Sequence, residues 1–253
     1  IYENLISGAK RDQQGWSSSE LQTQVDALLI YDKDFGDHSL NLLGGGSFRD
    51  TRDYLVNATT FGASSDLIPV MQPTTPQENS KVNSEYLATA IQSWFGQVAY
   101  DYKKRYLLNA TLRADGNYKF TDENKWGIFP GISAGWNIHQ EAFWGGAPSW
   151  FSKAKFKAAY GEAGQSKNLS IYDTQGRYST TSYAGITGVL QSNLQNQDLK
   201  WETTREWGFG MDLGFLGNRL NFIFDYYDKT SIDRLFLEPL PSFTGFSGIR
   251  TNV

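Results

Sequence analysis

Alternation of apolar and polar residues is the main pattern of this chain. Apolar side chains occupy every second position from Ile128 to Ile138, and small or polar side chains such as Ser133 lie between them. Such alternation predicts a β-strand with two different faces, because successive side chains of a strand point to opposite sides. The apolar face is bulky along its whole length, so it must cover a large core or contact lipid.

The same alternation returns in several other segments, separated by turn signals. It covers residues 21–31, 93–102, 106–115, 206–213 and 220–227, with a few exceptions such as Phe95. Charged residues such as Arg113 and Asp212 fall on the second face, which therefore meets water. In an outer-membrane barrel the outer face contacts lipid and the lumen is wet. The pattern thus predicts an all-β fold, an antiparallel transmembrane β-barrel segment of about eight strands.

Composition sets looser limits. The 253 residues, with a net charge of −4 and no cysteine, suit one all-β domain spanning 1–253, without disulfides or thiolate metal sites. No apolar run approaches the roughly 18 residues of a transmembrane helix, whereas a mean hydropathy of −0.48 is compatible with a barrel. The absence of a basic cluster argues against a nucleic-acid partner. Because the chain opens at Ile1 without a signal pattern, we expect it to be an internal part of a longer protein.

Loop lengths predict an orientation. Short turns are expected at 33–37, 103–104 and 214–218, and long connections at 54–91 and 162–199. Outer-membrane barrels have short periplasmic turns and long extracellular loops, so the long connections should be extracellular. The aromatic stretch 141–152 falls on the short-turn end, where we expect a tight interfacial connection with one helical turn.

Aromatic residues gather where the strands should meet lipid headgroups. Tyr100, Tyr102 and Tyr106 surround one predicted turn, and Trp136 and Trp144 surround the next. This distribution is typical of an aromatic girdle. An ordinary aromatic core remains the alternative.

A series of short motifs resembles the barrel of SusC/RagA-type TonB-dependent transporters. In chain order they are SWFGQVAYDY (93–102), RYLL (105–108), LRADG (112–116), FPGISAGW (129–136), FKAAYG (156–161), LKWE (199–202), GMDLGF (210–215), NRL (218–220) and DYYDKT (225–230). Each motif is weak alone, but their order and spacing together are specific. They cover roughly residues 29–252.

The resemblance implies part of a barrel of approximately 22 strands, located in the cell outer membrane and plugged by an N-terminal domain. Such proteins import oligosaccharides or peptides with energy from TonB, commonly beneath a SusD-like surface lipoprotein. The plug, the TonB contact and the closing strands are expected outside this chain. A passive porin or structural barrel, and a soluble carbohydrate-binding β-domain, remain the alternatives.

Face and loop positions give the candidate functional residues. The residues expected to contact lipid are Leu108, Ala110, Leu112, Ile132, Ala134, Trp136, Phe222 and Phe224. Those expected to face the lumen, solvated, paired with one another or against the plug, are Arg113, Asp115, Ser133, Glu202, Glu206 and Asp212. In the second long loop, Tyr172, Tyr178 and Tyr183 are candidates for contact with the solute or a lid, or for packing within the loop.

Catalysis is not expected. Ser133 lies in a G-x-S-x-G motif, but the strand alternation continues through it, without the turn and helix that a nucleophile elbow requires. His38 and His139 are the only histidines, so we expect no transition-metal site and no cofactor. The run Asp122-Glu123-Asn124 lacks the spacing of a calcium loop, although the sequence leaves open whether calcium binds.

Overall fold

Most of the chain forms β-strands. A computed structural model describes residues 12–61, 71 and 80–253. The strands are β1 (Asp12–Phe35), β2 (His38–Phe61), β3 (Ser80–Tyr102), β4 (Tyr106–Asn117), β5 (Trp126–Trp136), β6 (Phe151–Gln165), β7 (Arg177–Tyr183), β8 (Ile186–Asn193), β9 (Glu202–Phe215), β10 (Leu220–Ile232), β11 (Leu235–Pro239) and β12 (Gly248–Asn252). One short helix, α1, spans Ile171–Gln175. Within the described residues, no helix has the length and apolarity needed to cross a membrane.

Eight strands form one sheet in the order β1-β2-β3-β4-β5-β6-β9-β10. The pairs from β3 to β10 are antiparallel. Hairpins β7–β8 and β11–β12 are separate two-stranded sheets. The all-β prediction of about eight strands is therefore confirmed.

The prediction of a long loop over 54–91 is wrong at both ends. β2 continues to Phe61, and β3 begins at Ser80. Alternation failed to show these strand ends because they mix polar and apolar residues on both faces, while ladder pairing and a content of Tyr, Val and Thr suffice for a strand. Of the part between them, residues 62–70 and 72–79 lie outside the described residues. At another boundary, β5 ends at Trp136, and Ile138–Gln140 forms a 3-10 helix instead of continuing the strand.

The chain divides into two compact units. The first comprises Ile1–Gln24 and Arg49–Ala90, and the second comprises Val25–Phe48 and Ile91–Val253. In the first unit, Arg49 Nε donates to Gln24 Oε1 over 3.0 Å, and Arg52 pairs with Asp50 at 2.8 Å. All sites considered below lie in the second unit.

The predicted short turns are confirmed at one end of the second unit's strands, which we call the short-turn end. Gly36 has a φ of 64°, and both Lys103 and Lys104 have a φ of 55°, the left-handed conformation of tight hairpin turns. The connection from β5 to β6 contains two short 3-10 helices, Ile138–Gln140 and Ala142–Gly146. The helical character is as expected, but the connection spans residues 137–150 and is longer than a tight turn. The opposite end, with residues 118–125 and 166–201, is the long-loop end.

Aromatic rings lie over glycines at several places in the wall. A Cβ atom at Gly46 would lie 2.8 Å from the Trp94 ring, and one at Gly116 would lie 3.0 Å from the Trp126 ring. At Gly127, a Cβ would approach both Phe129 and Trp201 to within about 3 Å. The missing side chains let the rings lie flat on the neighbouring strand, a known way of covering strand glycines.

A small apolar cluster, the cap core, lies at the long-loop end. It consists of Phe120, Phe129, Leu169, Leu199, Trp201 and Leu235. Trp201 stacks on Phe120 at a centroid distance of 5.0 Å and meets Phe129 edge-on at 5.6 Å. The cap core joins the connections after β4, β6, β8 and β10 to the end of the sheet.

Candidate functional site

The strand register gives the wall two chemically different faces. Side chains directly opposite each other in an antiparallel pair share a face, and Leu108 lies opposite Ala134 while Ala110 lies opposite Ile132. The same face continues through Phe156 to Met211 and Phe224. The eight residues predicted to contact lipid all lie on this apolar face, where Leu112, Ile132 and Phe222 are 52–55% exposed. Contact of these residues with lipid stays a prediction.

The opposite, polar face carries the residues predicted to face a lumen. Ser133 lies opposite Asn109 and Ala159, within an unbroken strand, so it has no elbow geometry. The other five are also placed on this face by their partners. Arg113 lies opposite Phe95, Asp115 opposite Ser93, Glu202 opposite Gln165, Glu206 opposite Gly161 and Asp212 opposite Lys155. Whether this face lines a lumen is likewise untested.

Ion pairs neutralise much of the charge on the polar face. Lys157 Nζ lies 2.9 Å from Asp212 Oδ1 and 3.2 Å from Asp225 Oδ1, which links β6, β9 and β10. The Lys157 side chain crosses Gly210, where an added Cβ would lie 2.5 Å from Lys157 Cε. Glu206 has a weaker pair with Lys229 at 3.7 Å. Sequence alternation could place these charges on one face, but it could not identify partners on different strands.

Arg113 is held by three neighbours. Its Nε donates to both carboxylate oxygens of Asp115 at 2.8 Å, and its Nη2 donates to Ser93 Oγ at 3.0 Å. The guanidinium also lies 5.6 Å from the centroid of the Phe95 ring. The Arg113 side chain is nevertheless 50% exposed, whereas that of Asp115 is 15% exposed. The cation therefore faces the open side and the carboxylate lies behind it.

Glu202 differs from the expected solvated carboxylate. It is only 6% exposed, beside Trp201 of the cap core. Gln165 Nε2 donates to its Oε1 at 2.6 Å, and the Leu235 backbone N–H donates to its Oε2 at 3.3 Å. Because a buried carboxyl group needs hydrogen-bond partners, Glu202 at the start of β9 ties the start of β11 to the end of β6.

The connection 162–199 is long, as predicted, but much of it is ordered. Helix α1 begins with a capping box, in which Ser170 and Asp173 satisfy each other's backbone N–H groups. Thr174 is buried and donates to the Lys119 carbonyl at 2.8 Å, while Lys119 Nζ donates to the Leu169 carbonyl at 2.9 Å. Burial lowers the pKa of the Lys119 ammonium. The base of this loop is therefore packed on the connection between β4 and β5.

The three candidate tyrosines are not in one cluster. Tyr172 lies in α1, half-buried beneath the Arg177 guanidinium at 5.1 Å from the ring centroid. Tyr178 and Tyr183 lie on β7 and are 67% and 86% exposed. Ile186 on β8, opposite Tyr183, is 75% exposed. The β7–β8 hairpin thus presents apolar groups to solvent, while at its base Asn193 Nδ2 donates to the Tyr172 carbonyl of α1 at 2.7 Å.

The short-turn end has an aromatic and charged belt that includes a residue the sequence did not single out. Tyr106 stacks between Tyr102 and Trp136, at centroid distances of 6.3 and 6.5 Å. Glu141 accepts hydrogen bonds from the Tyr106 hydroxyl at 2.7 Å and the Trp136 indole at 3.0 Å, and it pairs with Arg105 at 3.3 Å. The donating hydroxyl of Tyr106, and then the indole of Trp136, lower the pKa of Glu141.

The histidines have structural partners. His38 Nδ1 lies 2.6 Å from the Tyr100 hydroxyl, and His139 Nδ1 lies 2.9 Å from the Ala154 carbonyl oxygen. In the part of the chain that the structure describes, no group of three His, Cys, Asp or Glu side chains could hold a metal ion. The chemistry of the wall is therefore that of an apolar contact surface opposite a polar, ion-paired one.

Comparisons with known proteins match these features. A model of the family described as TonB-dependent receptor-like, β-barrel, matches residues 3–253. TonB-dependent receptor P3 of Formosa agariphila is 33% identical over 246 residues, which cover 91% of this chain and 23% of the relative. SusC of Bacteroides thetaiotaomicron, also named a TonB-dependent receptor, is 32% identical over 167 residues, or 63% of this chain and 16% of SusC.

Solved structures show the same fold. The RagAB peptide transporter superposes with a TM-score of 0.82 at 23% identity, over 96% of this chain and 27% of the matched chain. The RagAB peptide importer in an open state gives a TM-score of 0.80 at 24% identity. This chain spans about a quarter of the length of these relatives. From the family match and the relatives together, the chain belongs to the TonB-dependent receptor β-barrel family and corresponds to part of the barrel of a SusC/RagA-type protein.

Proposed function

We propose that this chain is part of the wall of an outer-membrane transporter that imports oligosaccharides or peptides with energy delivered through TonB. The observation that carries the proposal is the apolar face, which runs from Leu108 through Ile132 to Phe224, with the charged residues Glu162, Arg205 and Asp228 only toward its long-loop end. A soluble domain would leave this surface uncovered, and exposed apolar patches of such extent mark membrane or protein contacts.

Lipid contact accounts for both faces and both ends. The apolar face meets the bilayer, and the ion pairs of Lys157 and Arg113 line the lumen, where a plug domain and the solute lie. The stacked Tyr102, Tyr106 and Trp136 form the periplasmic part of the aromatic girdle. The long-loop end, with the cap core, is then extracellular.

A SusD-like surface lipoprotein is the proposed partner of the β7–β8 hairpin. An isolated two-stranded hairpin is marginally stable in water, and this one exposes Tyr183 and Ile186 on one side and Tyr178 on the other. A partner that covers these groups would stabilise the hairpin and close the extracellular opening. The RagAB structures are named a peptide transporter and a peptide importer, and both peptides and oligosaccharides are proposed solutes of this chain's parent protein.

Uptake measurements test the proposed function. The full-length gene, with and without a functional TonB system, is expressed in an outer-membrane host, and uptake of labelled oligosaccharides and peptides is measured. We expect uptake only with TonB. Uptake that is equal without TonB would establish a passive pore and contradict the proposal.

The lid contact has a separate test. Tyr183→Ser combined with Ile186→Ser removes the apolar cross-strand pair, and Ser182→Ala combined with Thr187→Ala changes the neighbouring pair on the other side. We expect only the first variant to lose the lipoprotein in co-purification. Equal retention by both variants would remove the hairpin from the lid interface.

A further inference from the structure

A pocket on the polar face lies beside the cap core. It has a volume of about 380 Å³ and is lined by residues that include Phe95, Gln97, Thr111, Arg113 and Asp115. Phe129 lines the same pocket and also belongs to the cap core. The pocket is therefore at the long-loop end of the wall, where an entering solute first meets the barrel interior under the proposed orientation.

The pocket presents hydrogen-bonding groups that are already fixed. Within the described part of the chain, the hydrogen bonds of Arg113 use Nε and one Nη2 proton, which leaves three N–H groups on a half-exposed side chain that lines the pocket. Asp115, Ser93 and Phe95 fix the guanidinium before any solute arrives, which reduces the entropy cost of binding. Gln97 lies directly opposite Thr111, so the pair adds the amide of Gln97 and the hydroxyl of Thr111.

The floor of the pocket beside Thr111 is open. Thr111 lies opposite Gly131 on β5, and Gly131 lies opposite Gly161 on β6. The only contact between Thr111 Oγ1 and the Gly131 carbonyl is long, at 3.5 Å. A ring-shaped solute group can therefore approach Thr111 over two glycines. Beside Arg113, the ring of Phe129 on β5 forms a side of the pocket.

Charge balance selects the class of solute. Asp115 neutralises Arg113 at 2.8 Å, so an incoming carboxylate would be attracted by one partner and repelled by the other. A hydroxyl group both donates and accepts, and adjacent hydroxyls match the fork of the guanidinium together with the amide of Gln97. We propose that Arg113, with Gln97 and Thr111, forms a subsite for adjacent hydroxyl groups of a neutral oligosaccharide; this rests on the proposed function and favours sugars over peptides within it.

A matched control exists on the other face. Arg205 pairs with Glu162 at 3.0 Å, and its side chain is 50% exposed against 16% for Glu162, almost the values of the Arg113 pair. Both residues lie on the apolar face; Glu162 is also among the residues that line the pocket, whereas Arg205 is not. R113Q and R205Q therefore remove equally exposed ion pairs, but only R113Q removes an arginine side chain that lines the pocket.

Direct binding to the purified full-length transporter tests the proposal. The probes are neutral xylo-, cello- and malto-oligosaccharides, oligogalacturonates as anionic sugars, and tetrapeptides, measured by isothermal titration calorimetry. We expect at least one neutral probe to bind, its Kd to rise at least tenfold in R113Q, and its Kd to change less than twofold in R205Q. In D115N, which leaves the cation unbalanced, we expect oligogalacturonate binding to strengthen relative to the neutral sugar.

Several results would overturn the subsite. In the wild type, these are preferential binding of tetrapeptides or oligogalacturonates and no binding of any neutral probe. In the variants, they are equal Kd values for R113Q and R205Q, and loss of plug retention in R113Q with unchanged sugar binding. If R113Q does not assemble, R113K replaces it with the same expected tenfold rise, because lysine keeps the charge but loses the fork. Binding without TonB-dependent uptake would instead contradict the proposed function alone.

Discussion

Gly164→Ala should loosen the cap core although it adds only one methyl group. The new Cβ would lie 2.6 Å from Phe129 Cε2 and still closer to two other ring carbons. Carbon atoms pack at about 3.5–4.0 Å, so the ring must move by about 1 Å or more. Phe129 is 5% exposed and packed edge-on against Trp201, so the ring has little room to move.

The expected magnitude follows from overpacking. Extra methyl groups in a well-packed core typically cost about 1–3 kcal/mol. On the same strand, a Cβ at Gly161 meets no atom within 4 Å, so Gly161→Ala should be neutral or stabilising by about 0.4–1 kcal/mol, through a less flexible unfolded chain. The two variants should therefore differ by about 1–4 kcal/mol in the stability of the cap.

Limited proteolysis of the full-length protein can measure this difference. Cleavage within the connection 166–201 requires local opening, and its rate follows the open population when closing is faster than cleavage. A loss of about 1–3 kcal/mol raises that population by about 5- to 150-fold, since 1.4 kcal/mol is a factor of ten. Heat-dependent gel mobility should show intact barrels in both variants. Equal cleavage rates in G164A and G161A would refute the packing argument.

Three further predictions concern the wall. Ile132→Arg should destabilise the full-length barrel by about 2–4 kcal/mol if residue 132 lies near mid-bilayer, far more than the adjacent Ser133→Arg. Urea unfolding in the presence of lipid measures both variants. The reverse order of the two losses would invert the assignment of faces. Glu141→Gln should lower the stability of the barrel relative to wild type. Because hydrogen bonds lower the pKa of Glu141 from its usual 4.5, the stability difference should be constant above pH 4.5 and vanish as the pH falls through the lowered pKa. A difference that persists in acid would exclude the carboxylate as its source. Gly210→Val should displace Lys157 from its two carboxylates and weaken plug retention in detergent, and normal retention would show that the plug does not depend on this pair.

Sequence alternation predicted the strands that have one apolar face, and for a physical reason. Residues such as Ile132 and Phe222 lie on one apolar face, and successive side chains of a strand alternate between faces, which leaves a period of two in the sequence. The first half of β3 and the last part of β2 have no single apolar face, so the alternation pattern did not predict them as strands. Hairpin β7–β8 was hidden for the same reason, because it is rich in Ser, Thr and Gly.

Partners across strands could not be predicted. Glu141 meets Tyr106 from 35 residues away, and Lys157 meets Asp212 from a strand that follows a long insertion. The alternation placed Glu202 on the polar face, but its burial depends on Trp201 and on Leu235, which follows β10. Such contacts depend on how the strands and loops are arranged in three dimensions, which a single strand's pattern does not encode.

The three-strand contact of Lys157 has a consequence for assembly. A slip of one residue between β6 and β9 would turn every side chain of one strand to the wrong side, and Lys157 would then lose both Asp212 and Asp225. Only the native alignment brings one ammonium between two carboxylates above a glycine. The ion pairs thus favour the native register, because a slipped pairing would separate Lys157 from both carboxylates and would turn charged side chains to the apolar face.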